Sequence, residues 1–123
     1  MNYHIDFDID FKRNNDKGVF IAIEGIDGAG KTTQAKLVAE ELAKSSDVHL
    51  TKNPTDGLIG KFIREVLVGK VDIPPVSFQY LFSADRQVHQ KVVLKDLKDG
   101  KIIITDRYFW SAIVYGIVDR EDL

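Results

Sequence analysis

Residues 19–34 read VFIAIEGIDGAGKTTQ, a short β-branched run followed by glycines, a lysine and the start of a helical pattern. Within this segment, residues 25–32 (GIDGAGKT) match the pattern G-x-x-x-x-G-K-[ST] of a phosphate-binding loop. The match stands where the pattern requires it, after a predicted strand over 19–24 and at the start of a predicted helix over 32–44. The glycines let backbone N–H groups point inward, and the positive end of the helix adds to the attraction for phosphate oxygens. The segment therefore predicts a nucleoside triphosphate site.

The side chains of the loop that carry chemistry are its lysine and the hydroxyl residue after it. Lys31 should reach the β- and γ-phosphates of ATP, and the Thr32 hydroxyl should ligate Mg²⁺. Asp106 follows the apolar run 102–105, so its carboxylate is the candidate for the metal side of the site, although such an aspartate is also common as a turn or helix cap. ATP and Mg²⁺ are the expected cofactors. The residues expected to bind ATP are Gly25, Ile26, Asp27, Gly28, Ala29, Gly30, Lys31, Thr32 and Thr33.

The rest of the chain alternates between strand and helix patterns. These patterns predict a strand over 48–51, a helix over 58–68, a longer helix from 74 or 75 to 97, a strand over 102–105 and a helix from about 110. In the longer helix, the expected buried stripe consists of Leu81, Ala84, Val88 and Val92. The run 102–105 is typical of a central parallel strand that is covered on both faces. The predicted fold is therefore an α/β three-layer sandwich of the P-loop NTPase type, with three core strands in a parallel sheet.

Length and composition fit one soluble domain. The chain has 123 residues, 44% of them hydrophobic, and a formal net charge of −2, so it lacks the basic excess expected of a nucleic-acid-binding protein. It has no cysteine, which suits a reducing compartment and predicts a cytoplasmic protein. No apolar stretch of about 18 residues predicts a membrane span, and no signal-peptide pattern opens the chain. We therefore expect small-molecule partners, without nucleic acid or membrane.

The first 17 residues stand outside the alternation of strands and helices. Apolar residues alternate with aspartates over 5–11, which predicts an accessory edge strand. The aspartates also resemble the start of a calcium loop, but Phe11 and Lys17 stand where that loop needs glycine and glutamate. We assign this segment no chemistry and treat 1–17 as an extension of a domain over 18–123.

Three cationic side chains outside the loop are more than one triphosphate requires. Lys52 follows the second strand, Arg107 follows the third, and Arg86 lies on the long helix at helical spacing from Phe82 and His89. By pattern alone, Phe82 would be an ordinary core aromatic and Arg86 a solvated charge. Together the cations indicate a second anionic substrate that faces the first. A phosphate monoester fits, because its oxygen is already a nucleophile at neutral pH and needs no general base. The residues thus favour a nucleoside monophosphate kinase.

Three ordered segments of the chain resemble the motifs of thymidylate kinases. They are FIAIEGIDGAGKTTQ at 20–34, FSADR at 82–86 with His89, and DRY at 106–108 with Ser111 and Tyr115. The similarity covers about 18–115. It implies an enzyme that transfers the γ-phosphate of ATP to dTMP and so makes dTDP.

Carried over to this sequence, the resemblance implies a complete acceptor site. Arg107 would hold the acceptor phosphate, Asp27 would hold the 3′-hydroxyl, and Ser111 and Tyr115 would line the sugar and base pocket. On the long helix, Phe82 would stack on thymine and Arg86 would bond its O4. The residues expected to bind dTMP are Asp27, Lys52, Phe82, Arg86, Arg107, Ser111 and Tyr115, and those expected to act on the transferred group are Lys31, Asp106 and Arg107.

The sequence also departs from the family. The family's Arg-Glu-Pro is Lys52-Asn53-Pro54 here, so the planar guanidinium that binds phosphate through two hydrogen bonds is replaced by a compact ammonium. The resemblance also implies a cis peptide bond before the proline. Members with glycine at position 28 supply a catalytic cation from a later lid, and the family sheet has five core strands. Residues 18–123 hold no lid and only three such strands. We therefore expect them to be the N-terminal part of the domain, a poor or inactive kinase alone, and prone to homodimer formation or other self-association.

Two alternatives stay open on the sequence alone. One is a kinase for another deoxynucleoside monophosphate, because one arginine and a few pocket contacts would set the choice of base. The other is a nucleotide-binding fragment without catalytic activity.

Overall fold

The computed structural model describes residues 15–118 together with His4, Asp6 and Asp8, without the side chains of residues 109 and 115–118. The order of elements is the predicted β-α-β-α-α-β-α, and no predicted bound is wrong by more than two residues. The elements are β1 (Val19–Ile23), α1 (Lys31–Leu42), β2 (Val48–Lys52), α2 (Leu58–Leu67), α3 (Pro75–Lys98), β3 (Ile102–Asp106) and α4 (Phe109–Val118). The predicted N-terminal strand falls mostly outside the described residues and stays a prediction.

The three strands form one parallel sheet in the order β1-β3-β2. Ile23 of β1 and Lys52 of β2 both pair with Asp106 of β3, so all three strands end level with one another. The loops that follow the strands therefore begin at the same edge, where open α/β sheets bind ligands. Within residues 15–118, β1 pairs with β3 alone.

The middle strand carries the core of the molecule. Ile103 and Ile104 are adjacent on β3, point to opposite faces of the sheet and are both 0% exposed. Ile104 packs against α1, and Ile103 packs against Val93 and Leu97 of α3. Burial of one isoleucine side chain stabilises the fold by roughly 1.5–3 kcal/mol. The prediction of a central strand covered on both faces, and with it the three-layer sandwich, is confirmed.

The predicted buried face of α3 is wrong. Val88 and Val92 are 60% and 46% exposed. The buried positions are instead Asp85, His89, Val93, Asp96 and Leu97. The helix is thus turned by about 100°, one residue of an α-helix, from the orientation that its apolar residues predict. The reason is that each buried polar side chain has a partner in β2, in the loop after β2, or at the start of β3.

Helix α2 packs against α3 and against the loop that precedes it. A Cβ atom on Gly60 would lie 1.9 Å from the carbonyl oxygen of Thr55, so only glycine permits this approach. Ile63, one turn further along, is 0% exposed. Gly60 and Ile63 together fix α2 over the loop of residues 53–57.

Across the residues that the structure describes, no helix combines the length and the apolar character that crossing a membrane requires.

Candidate active site

The loop between β1 and α1 has the backbone shape that its sequence predicts. Gly28 and Gly30 have φ angles of 77° and 88°, in the left-handed region that favours glycine. Gly30 directly precedes the first turn of α1. The ammonium of Lys31 curls back and donates a hydrogen bond of 2.7 Å to the carbonyl oxygen of Ile26. The loop thus joins a strand to a helix N-terminus and carries a lysine over its own backbone, as in a phosphate-binding loop.

Thr32 and Asp106 meet at the sheet edge although they lie 74 positions apart in the sequence. The Thr32 hydroxyl donates to a carboxylate oxygen of Asp106 at 2.5 Å. Among the described residues, no group of three or more His, Cys, Asp or Glu side chains could enclose a metal ion. A hydroxyl and one carboxylate suit Mg²⁺, because this ion keeps several waters and takes its other ligands from substrate phosphates. The residues present therefore fit a magnesium site completed by a nucleotide.

Arg107 is held in an unusual backbone conformation beside the loop. Its φ angle of 71° is left-handed, which costs a residue with a side chain roughly 1–2 kcal/mol. Its N–H donates to the carbonyl of Ile23 at 3.0 Å. The guanidinium forms an ion pair with Asp27 and donates to the hydroxyl of Ser111 at 3.0 Å. Three residues predicted to bind the acceptor are therefore in direct contact.

Glu24 is part of this arrangement, and the sequence analysis missed it. One of its carboxylate oxygens accepts a hydrogen bond of 2.8 Å from the backbone N–H of Tyr108, and the other accepts one from the hydroxyl of Ser111. Glu24 thus ties the end of β1 to the start of α4, where Arg107 finds its partner Ser111. Its position directly after a strand and before the loop is the signal that could have revealed it.

Two clefts open at this edge of the sheet. The smaller cleft, of about 370 Å³, is lined by the phosphate-binding loop, including Asp27 and Lys31, and by Arg107. The larger, of about 520 Å³, runs beside β2 and includes Lys52. Thr32 and Asp106 line both clefts, so the candidate metal pair lies where they meet. Neither of these two clefts is lined by Phe82 or Arg86.

Similarity to known proteins agrees with this geometry. Residues 23–122 match the family model described as thymidylate kinase. The chain belongs to the thymidylate kinase family. A probable thymidylate kinase of Pyrococcus horikoshii is 47% identical over 106 residues, and one of Methanocaldococcus jannaschii is 45% identical over 104 residues. These alignments cover 80% and 85% of this chain, and 52% and 53% of the relatives. The chain therefore spans about half the length of these relatives.

Solved structures of thymidylate kinases share the fold. The Ehrlichia chaffeensis protein aligns with a TM-score of 0.76 and 35% identity, over 85% of this chain and 58% of its own. The Candida albicans protein aligns with a TM-score of 0.79 and 33% identity, over 88% of this chain and 48% of its own. The P-loop NTPase fold of this thymidylate kinase family member is thus confirmed.

The family's helix motif lies on α3 in two different environments. Phe82 makes an edge-to-face contact with Phe78, with ring centroids 4.9 Å apart, and Arg86 donates to the hydroxyl of Ser83 at 3.3 Å. His89 is buried and shares a hydrogen bond of 2.9 Å with the Thr51 hydroxyl. His89 therefore belongs to the contact between α3 and β2, while the roles of Phe82 and Arg86 toward a ligand stay predictions. Tyr115, the remaining acceptor residue, lies outside the side chains that the structure describes.

The loop of residues 53–57 is held in place by side chains from two helices, α3 and α2. Asp85, 2% exposed, accepts hydrogen bonds from the backbone N–H and the hydroxyl of Thr55 at 2.7 and 2.6 Å. From α2, Arg64 donates to the carbonyl oxygens of Pro54 and Thr55. The Asn53–Pro54 bond is cis, as the resemblance implies. Lys52 pairs with the exposed carboxylate of Asp56 at 3.2 Å. Asp85 therefore has a role that its motif alone did not indicate.

A polar cluster joins β2 to α3 along the larger cleft, which His49 and His89 help to line. The His49 ring donates to Asp96 at 2.5 Å, and Lys101 lies 3.3 Å from the same carboxylate. Burial by itself would raise the pKa of Asp96, but these hydrogen bonds outweigh burial and hold the pKa below its usual value. Burial lowers the pKa of His89; the carboxylate of Asp85 opposes this effect and the His49 ring adds to it. The cluster thus favours an ionised Asp96 and a neutral His89.

Proposed function

We propose that the protein transfers the γ-phosphate of ATP to dTMP, giving ADP and dTDP. The observation that carries this proposal is the contact of Arg107 with Asp27 and Ser111 at the mouth of the phosphate-binding loop. A cation fixed there faces the end of a bound triphosphate and is available to an acceptor phosphate. Family membership supports the same reaction and favours a cytoplasmic enzyme.

Each end of the reaction has its own residues. On the donor side, the backbone of 25–33 binds the phosphates, and Lys31 exchanges its contact with Ile26 for the β- and γ-phosphate oxygens. Thr32 and Asp106 hold Mg²⁺, which when bound neutralises charge on the transferred group. On the acceptor side, Arg107 holds the phosphate of dTMP and Asp27 its 3′-hydroxyl.

The chemical step needs positioning more than proton transfer. An oxygen of the dTMP phosphate attacks the γ-phosphorus, and the bond from that phosphorus to the β–γ bridging oxygen breaks as ADP leaves. The attacking oxygen carries negative charge at neutral pH, so no general base is required. Lys31 and Arg107 stand on either side of the transferred group and reduce the repulsion between two anions.

Base recognition is assigned to α3 and α4. Phe82 stacks on thymine, Arg86 donates to its O4, and Tyr115 lines the pocket beside Ser111. For this, Arg86 exchanges its weak contact with Ser83 for the base. Lys52 contributes positive charge near the acceptor phosphate once it separates from the exposed carboxylate of Asp56.

A second candidate is the phosphorylation of other deoxynucleoside monophosphates. It is favoured by the Candida albicans relative, which is described as having broad substrate specificity. A panel of dTMP, dUMP, dCMP, dAMP and dGMP with ATP and Mg²⁺ separates the candidates through the rate of ADP release. We expect dTMP to be the best acceptor. A faster reaction with another monophosphate would establish the second candidate, and binding of both substrates without ADP release would indicate a nucleotide-binding protein without kinase activity.

A further inference from the structure

Asn53 connects the ends of β2 and β3 at the point where the acceptor residues begin. Its backbone N–H donates to the carbonyl of Asp106 at 3.1 Å. Its side-chain amide nitrogen donates to the carbonyl of Arg107 at 3.1 Å and to the hydroxyl of Thr105 at 3.3 Å. One residue thus contacts three consecutive positions, and two of them carry the proposed metal and phosphate contacts.

The orientation of the Asn53 amide is determined by its neighbours. The Thr105 hydroxyl donates its own proton to the carbonyl of Arg107 at 2.9 Å, so both groups present lone pairs to Asn53. Only the NH₂ end of the amide can face two acceptors. The other end, Oδ1, is buried without a hydrogen-bond partner among the described residues. Among the described residues, the side-chain amide therefore interacts through its donor end, with the carbonyl of Arg107 and the hydroxyl of Thr105.

The backbone of Arg107 requires stabilising hydrogen bonds more than that of most residues. Its left-handed backbone is unfavourable for any residue with a Cβ atom, and it persists only where the surroundings hold it. Its N–H is bound by Ile23, and its carbonyl is bound by Thr105 and Asn53 together. This backbone conformation sets the direction in which the guanidinium leaves the chain toward Asp27 and Ser111.

We propose that Asn53 is a positioning residue that acts through Arg107, and that its amide N–H₂ holds the guanidinium in place for the acceptor phosphate. The inference rests on the proposed function for the identity of the acceptor. The hydrogen bond from Asn53 to the backbone of Arg107 is present in the protein without ligand. Asn53 itself lines neither of the two clefts at this edge of the sheet.

Two variants test the proposal in the full chain. Asn53→Ala removes the donor, and Asn53→Asp keeps the shape but sets a carboxylate against the carbonyl of Arg107. Asn15→Asp, at an exposed position, is the control for added negative charge. The first readout needs no ligand: amide hydrogen exchange of Arg107 should accelerate by about 5- to 10-fold in Asn53→Ala, the effect of one net hydrogen bond, and by more in Asn53→Asp. The amide of Ile104, in the middle of β3, reports whether the sheet remains folded.

The second readout is binding of dTMP and of ATP to the same variants. We expect affinity for dTMP to fall about tenfold in Asn53→Ala while affinity for ATP stays within about twofold, because the phosphate-binding loop is intact. Unchanged exchange of Arg107 in both variants would overturn the proposal, and so would equal loss of both ligands with Ile104 still protected. If the wild-type protein binds no dTMP, the proposed function fails, whereas the exchange measurement still decides whether Asn53 holds Arg107.

Discussion

Lys31 is the residue on which the donor side depends. Its ammonium lies over the loop and donates to the backbone carbonyl of Ile26 among the residues that the structure describes, so its replacement should leave the fold intact. We predict that Lys31→Ala weakens ATP binding roughly 10- to 100-fold, the value of a hydrogen bond to a charged group. Titration calorimetry with ATP and Mg²⁺ measures this. Lys44→Ala is the matched control, because that exposed lysine lies on the outside of the molecule, where it pairs with Glu41. Equal ATP affinity in wild type and Lys31→Ala would refute the assignment of the loop.

Replacement of Arg86 tests the proposed acceptor site separately from the ATP site. If its guanidinium donates to thymine O4, Arg86→Ala should cost dTMP binding roughly 1.5–3 kcal/mol and leave ATP binding unchanged. The neighbouring Gln87→Ala, on the exposed side of α3, should change neither affinity. Parallel losses of both ligands in Arg86→Ala would instead mean that this arginine supports the helix and does not bind the base.

The site residues that the sequence could predict are those whose spacing is fixed by covalent neighbours. The loop glycines, Lys31 and Thr32 follow from one pattern, and the contact between Thr32 and Asp106 follows from parallel strands that end at one edge. The position of Glu24 after β1 could have marked it as a candidate, but neither its partners nor those of Asn53 could be predicted in the same way. Their roles depend on hydrogen bonds to backbone atoms distant in sequence, and no residue pattern encodes such atoms.

Between helix α3 and the loop of residues 53–57, Asp85 is the main link. Its two oxygens bind the N–H and the hydroxyl of Thr55, and its side chain is buried. We predict that Asp85→Ala lowers the free energy of unfolding by about 2–3 kcal/mol, because it leaves a backbone N–H without its partner. Urea unfolding followed by circular dichroism provides the value. Asp72→Ala, at an exposed position between α2 and α3, should change it by no more than about 0.5 kcal/mol. A similarly small change in Asp85→Ala would show that the loop does not depend on this carboxylate.

His89, at the contact of α3 with β2, should make the free energy of unfolding depend on pH. Because burial lowers the pKa of His89, the unfolded chain takes up a proton at higher pH than the folded protein does. The contribution of a neutral His89 is therefore complete above about pH 6.5 and is lost as pH falls below that value. We predict that His89→Gln loses less stability than wild type when the pH is lowered from about 7.5 to about 5.5. Urea unfolding at both values gives the comparison. His4→Gln, at an exposed histidine, should follow wild type, and an identical pH dependence in His89→Gln would contradict the prediction.

Helix α3 shows which property of an element the sequence pattern could not predict. Apolar periodicity located α3 to within one residue at each end but assigned its buried face to Val88 and Val92. That rule treats aspartate and histidine as solvent-facing, whereas Asp85, His89 and Asp96 are buried here because each has a partner. The partners lie on β2 and beyond, so the orientation of the helix is a tertiary property.

At the scale of the whole molecule, the sheet places the two halves of the proposed reaction side by side. β1 leads into the loop proposed to bind ATP, β3 leads into Asp106 and Arg107, and β2 leads into the loop at 53–57. The alternation of elements and the apolar run of β3 were sufficient to predict this parallel arrangement. They could not predict that Lys52 lines the larger cleft and not the smaller one, because this depends on the strand order, in which β3 separates β2 from β1.

The transfer of labelled phosphate tests the central claim most directly. The protein is incubated with ATP labelled on its γ-phosphate, Mg²⁺ and dTMP, and the nucleotides are separated afterwards. The proposed site predicts that the label appears in dTDP, that omission of dTMP or Mg²⁺ prevents this, and that Lys31→Ala reduces it strongly. Release of the label as inorganic phosphate would contradict the assignment of Arg107 and the loop to one phosphoryl-transfer site, and retention of the label in ATP while dTMP is bound would favour a nucleotide-binding fragment without catalytic activity.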